Sequence, residues 1–133
     1  MDKLKIDIPS IPDNIRIVES FVDNAKEKFD ISDDLYGNIM VSLTESVNNA
    51  IVHGNQSDET KSVHLTLEII GNELVFTVED QGNGFDFAEL PDPTSPENLE
   101  KIGGRGIFLM KHLCDDVKFH DNGKKVELHF IVE

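Results

Sequence analysis

SVHLTLEII (residues 62–70), GN (71–72) and ELVFTVED (73–80) form the stretch that decides the fold. Apolar and polar residues alternate through both long segments, which is the period of a half-buried strand, and Gly71-Asn72 is a short hairpin connection. On the second strand Leu74, Phe76 and Val78 share one face, and period two carries Asp80 onto that same inward face. A carboxylate at the rim of an apolar layer is costly unless it receives good hydrogen bonds. Asp80 is therefore a candidate for chemistry as well as the end of a strand.

Reading toward the N-terminus, Ser32 is placed to cap a helix from about Asp33 to His53, whose apolar side is Tyr36, Met40, Leu43, Val47 and Ile51. Gly54 stops it. An earlier helix spans Pro12 to Phe29, with Ile15, Val18, Phe21, Val22 and Ala25 recurring at threes and fours and Asp13 as its expected cap. Lys3 to Ile8 alternates, with Leu4, Ile6 and Ile8 on one face, and Pro9 ends that strand. Toward the C-terminus, Phe87 to Ile102 holds Pro91, Pro93 and Pro96 without a sustained period and reads as a loop. Gly106 to Cys114 is a further helix, and Val117–His120 with Lys125–Val132 form a last hairpin around Asn122-Gly123. The order predicts an α/β (α+β) domain spanning residues 1–133. It is a two-layer sandwich in which a mixed, mostly antiparallel sheet is covered on one face by about three helices.

Length and composition agree with a single domain. A chain of 133 residues closes one core, and 38% hydrophobic with 29% charged residues is a globular balance rather than a disordered one. No apolar run reaches the length of a membrane helix, and Met1-Asp2-Lys3 leads into a strand without a signal-peptide core, so a cytoplasmic location is expected. The formal charge of −14 repels phosphate backbones and argues against nucleic acid, whereas it suits a basic protein partner. Cys114 is the only cysteine, so an intrachain disulfide is excluded, and its apolar helical setting predicts a small core residue. Asn55-Gln56-Ser57 matches a glycosylation sequon, which has consequences only along the secretory route.

Three places carry candidate chemistry. Glu45, Asn49 and His53 stand at i, i+4 and i+8 of the second helix, a spacing that stacks them in one row able to face a single ligand. The neutral amide oxygen of Asn49 suits one position around Mg²⁺, and Glu45 is placed to take a proton from a hydroxyl or water attacking a phosphoryl group. Without a ligand the same row is an ordinary solvated stripe. Asp80 would be satisfied by an exocyclic amino group such as that of adenine, and Gly82 and Gly84 let the backbone approach a flat ligand. The plain alternative there is a turn after a strand, while a calcium loop fits worse because both glycines stand where oxygen ligands are needed. Gly103-Gly104-Arg105-Gly106 opens the third helix, where free N–H groups and the positive helix end suit phosphate, aided by Arg105 or the neighbouring Lys101 and Lys111. A glycine-rich connection needed for close packing is the alternative. Neither a Walker loop nor the motif set of ordinary protein kinases is present.

Taken together, Glu45-x-x-x-Asn49-Ala50-x-x-His53-Gly54, Asp80-x-Gly82-x-Gly84-Phe85 and Gly103-Gly104-x-Gly106-Ile107-x-Leu109-Met110 resemble the three boxes of the Bergerat-fold (histidine-kinase-like, GHKL) ATPases. Within that superfamily the chain most resembles the bacterial anti-sigma factor serine/threonine kinases, over nearly its whole length. The resemblance implies a kinase that uses Mg-ATP to phosphorylate a serine or threonine of a small STAS-type antagonist protein and otherwise sequesters a sigma factor. It assigns the catalytic base to Glu45, Mg²⁺ to Asn49, adenine recognition to Asp80 and the triphosphate to Gly103, Gly104 and Gly106. Residues from about 87 to 102 become an ATP lid, and a homodimer is expected. Two other functions fit the residues: a nucleotide-gated binding switch without phosphotransfer, and a stand-alone histidine-kinase-type ATPase domain. The second is disfavoured because no helix with a phosphoacceptor histidine precedes the domain.

Overall fold

The computed structural model describes residues 3–82, 110–120 and 124–132. Strands β1 (Lys3–Pro9), β2 (Ser62–Ile70), β3 (Glu73–Glu79), β4 (Asp116–His120) and β5 (Lys125–Ile131) form one sheet in the order β1-β2-β3-β5-β4. All four pairings among the described residues are antiparallel. The hairpin between β2 and β3 pairs Ile70 with Glu73, and Gly71 takes φ +60, the left-handed value that a two-residue connection favours and that glycine adopts without strain.

Register aligns the apolar residues of neighbouring strands. Phe76 sits opposite Leu67 on one side and Leu128 on the other, and Val78 sits between Leu65 and Val126. This face is covered by helix α1 (Ile15–Phe29), helix α2 (Asp33–Asn49) and the helical segment 110–113. Val18, Phe21, Val22 and Ala25 are the buried residues of α1, as the helical spacing predicts. Phe76 meets Phe21 and Phe130 edge-on, with ring centroids 6.5 and 5.9 Å apart, a geometry that aromatic quadrupoles favour. Cys114 is buried in this core, and burial pushes its thiol up to about 11, with the Ser42 hydroxyl beside it pulling the other way. It is therefore the small core residue expected, held in its unreactive thiol form.

Two local readings need correction. Asp13 does not cap α1. Pro12 instead opens a 3₁₀ turn, Pro12–Asn14, and the Asn14 side chain reaches back to the Pro9 carbonyl at 3.0 Å. The buried side of α2 centres on Ile39, Leu43 and Val47, continued by Ile51 just beyond its end, and Tyr36 and Met40 are only half-buried flanks. Tyr36 faces α1, where its hydroxyl donates to Asp23 and its ring lies 5.7 Å from the Lys26 ammonium. Ser32 caps α2 as expected, accepting the Leu35 N–H at 3.3 Å. No described helix is long and apolar enough to cross a membrane.

Candidate functional site

Helix α2 ends at Asn49 and continues as one π turn, Ala50–Gly54, closed by the Asn55 N–H on the Ala50 carbonyl at 2.8 Å. In a π turn, side chains five apart stack instead of four. His53 sits inside this π turn and not on the regular α-helical spacing that would stack it with Glu45 and Asn49. It is half-buried, its Nε2 has no partner among the described residues, and burial lowers its pKa. Glu45 is half-buried one turn before Asn49.

Asn49 is 4% exposed and its Nδ2 has no hydrogen-bond partner among the described residues. It lines a narrow, enclosed cavity with Ser46, Val78, Asp80, Met110 and Lys124. Two groups expected to converge, the helix amide and the strand-end acid, thus share one cavity although they lie 31 positions apart in the sequence (80 − 49). An unpaired buried amide N–H costs about 1–3 kcal/mol, which a ligand oxygen accepting from it would relieve.

Strand β3 ends at Glu79, yet Asp80 remains tied to the sheet because its N–H donates to the Lys124 carbonyl at 2.9 Å. Asp80 is 2% exposed, and its Oδ1 accepts the Gly82 N–H at 2.9 Å. Burial raises its pKa, the Glu79 charge adds to that, and the Gly82 bond with the Lys124 and Lys61 charges opposes it.

Gly54 is the floor beneath this acid. A Cβ added there would lie 2.3 Å from Asp80 Oδ2, and one added to Gly82 would lie 1.7 Å from the Gly54 carbonyl oxygen. The bare Cα of Gly82 lets the protein's own backbone pack closely, with Gly54 stacked against Gly82 and Asp80. Gly84, Phe85, Gly103, Gly104, Arg105, Gly106, Ile107 and the expected lid at 87–102 lie outside the described residues.

Sequence reasoning passed over Asn55. Its side chain is 1% exposed, donates to Ser10 Oγ at 2.8 Å and to the Ser62 carbonyl at 3.1 Å, and accepts the Gln81 N–H at 2.7 Å. Gln81 in turn accepts the Ser62 N–H at 2.7 Å. Asn55 thus ties the end of the π turn to β1, β2 and the turn after Asp80. The only sequence signal was the sequon, and a side chain so buried is no glycan acceptor in the folded protein. Ser46 and Lys124 were also missed, because a serine inside a helix and a lysine before a strand carry no motif of their own.

The residues present fit a magnesium nucleotide: a buried acid able to accept from a base amine and an unpaired amide line the same cavity. An antiparallel sheet under helices, with this acid at one strand end and a Glu-x-x-x-Asn row closing the facing helix, defines an ATPase domain of the histidine-kinase type. The profile of the histidine kinase-like ATPase domain matches residues 8–130, and the chain belongs to that family.

Its curated relatives narrow the comparison. The chain is similar to the protein named serine-protein kinase RsbW of Bacillus licheniformis, with 27% identity over 134 aligned positions that cover 96% of this chain and 84% of that protein. The protein of the same name from Oceanobacillus iheyensis is 24% identical over 126 positions, covering 90% and 80%. That of Listeria innocua is 25% identical over 132, covering 94% and 84%.

Proposed function

We propose that this chain is a Mg-ATP-dependent serine/threonine protein kinase that phosphorylates an anti-sigma antagonist of the STAS type and otherwise sequesters a sigma factor in the cytoplasm as a homodimer. The observation that carries the reading is the shared cavity of Asp80 and Asn49, both buried, in which the Asn49 amide nitrogen has no partner among the described residues and a nucleotide would supply one. The kinase names of the relatives support the choice of reaction.

Each residue then has a distinct task. Asp80 accepts from the exocyclic amine of adenine, and its tie to Lys124 holds it in place while it does so. The Asn49 amide turns its oxygen to Mg²⁺ and its nitrogen to phosphate. Glu45, one helical turn back and better exposed, takes the proton from the attacking serine or threonine hydroxyl. The N–H groups of Gly103, Gly104 and Gly106 hold phosphate, with Arg105 adding charge, while Gly84, Phe85 and Ile107 border the nucleotide and His53 borders the phosphates. Bound Mg-ATP supplies the phosphoryl group. The charge of −14 selects basic partner surfaces, so association weakens as salt is added.

Labelled ATP and a candidate antagonist protein test the reading. Wild type labels the antagonist on serine or threonine, Glu45→Ala still binds nucleotide but transfers nothing, and Asn49→Ala loses magnesium-dependent binding. Undiminished transfer by Glu45→Ala would remove that residue from its role. Nucleotide binding without any labelling would instead favour the gated switch.

A further inference from the structure

Beside Asn49 and Asp80 the cavity holds a hydroxyl with no task in phosphoryl transfer. Ser46 is 3% exposed, lines the cavity beside Asn49 and Asp80, and its hydroxyl has no partner among the described residues. A serine inside a helix ordinarily spends its hydroxyl on a carbonyl of the preceding turn, as Thr44 does with the Met40 carbonyl at 2.8 Å. Ser46 does not. An unspent hydroxyl in an enclosed cavity is a standing cost unless a ligand completes it.

We propose that Ser46 is a second base-reading residue, donating its hydroxyl proton to the N1 acceptor of adenine while Asp80 accepts from the neighbouring amine. The proposal rests on the nucleotide reading of this cavity and adds the determinant of base identity. Adenine presents an amine donor and a ring-nitrogen acceptor side by side, which is the complement of one acceptor and one donor on the protein. Guanine presents a carbonyl acceptor and a ring N–H donor at those positions, so the pair faces it with like against like. Asp80 alone could still accept from the ring N–H and 2-amine of a guanine that shifts sideways in the cavity. The Ser46 hydroxyl breaks that tie, and it does so from a helix that the Gly54–Asp80 contact locks to the strand end.

The experiment measures binding of ATP, GTP and 1-deaza-ATP, which lacks the N1 acceptor, to the whole chain and to Ser46→Ala by calorimetry. Wild type is expected to bind ATP about tenfold more tightly than 1-deaza-ATP, and Ser46→Ala to bind the two alike while losing discrimination against GTP. Without nucleotide, Ser46→Ala should melt at or above the wild-type temperature, since it deletes an uncompensated buried hydroxyl; this separates a reading role from a folding role. A Ser46→Ala protein that keeps the ATP to 1-deaza-ATP ratio overturns the Ser46 assignment and leaves the nucleotide site standing. A wild type that binds none of the three overturns both.

Discussion

Gly82→Ala tests whether the stacking of Gly54 and Gly82 holds the site together. The new Cβ would lie 1.7 Å from the Gly54 carbonyl oxygen and 2.5 Å from its carbon, both backbone atoms. Relief therefore requires the turn after Asp80 to move by about 1.5 Å or more to restore ordinary contact. That movement strains two hydrogen bonds on the same turn, Gly82 N–H to Asp80 at 2.9 Å and Gln81 N–H to Asn55 at 2.7 Å. Overpacking of about 1–3 kcal/mol and the loss of one charged and one neutral bond place the cost at about 3–5 kcal/mol after partial relaxation. For a domain of this size that corresponds to a fall in Tm of about 10 to 20 °C.

Gly54→Ala is the matched control. Its Cβ would meet the Asp80 side chain, at 2.3 Å from Oδ2 and 2.4 Å from Cγ, and a side chain can swing aside where a backbone cannot. The expected stability loss is only about 1–3 kcal/mol, while the displaced carboxylate no longer reads the base and ATP binds about 10- to 100-fold more weakly. The chain has no tryptophan, so circular dichroism in urea follows unfolding and calorimetry follows nucleotide. A Gly82→Ala protein within about 1 kcal/mol of wild type, or a Gly54→Ala protein with unchanged ATP affinity, refutes the stacking argument.

Other substitutions address the surrounding contacts. Asn55→Ala strands the Ser10 hydroxyl, the Ser62 carbonyl and the Gln81 N–H, and should cost about 2–4 kcal/mol in urea unfolding; Asn55→Asp, which sets a carboxylate against the Ser62 carbonyl, should be no milder. Because the Asp80 pKa is raised in the folded state, ionised Asp80 is a cost at neutral pH that fades as pH falls through the raised value toward the ordinary 3.8. Asp80→Asn should accordingly be at least as stable as wild type at pH 7, with a margin that narrows on acidification while ATP binding is already lost; a margin that widens contradicts the raised value. Cys114, 9% exposed with its thiol near 11, should resist iodoacetamide at pH 8 until urea unfolds the chain, and rapid labelling of native protein would show the core to be open there.

The sheet was legible because its signal is local. Alternation placed the bounds of β2 at Ser62–Ile70, as in the structure, and carried Asp80 inward one residue beyond β3. Helix α2 was harder to read because its buried side includes Ser42, Ser46 and Asn49. Those polar residues thin the apolar stripe, and a pattern built from apolar residues alone slid toward Tyr36 and Met40 and away from Ile39. The π turn left no trace in the spacing, since one inserted residue next to a glycine looks like an ordinary helix end.

What stayed hidden was every contact whose two sides are far apart in sequence. Gly54 reads as a helix stop, but its missing Cβ is required by Asp80, and Gly82 reads as a turn residue, but its missing Cβ is required by Gly54. Asn55 bridges segments that no local pattern connects. These contacts share one consequence. They clamp the end of α2 to the end of β3, and that packing keeps Ser46 and Asn49 buried with unmet polar groups beside Asp80. The costly groups and the packing that keeps them in place are thus two sides of one arrangement, and the motif spells out the first while the fold supplies the second.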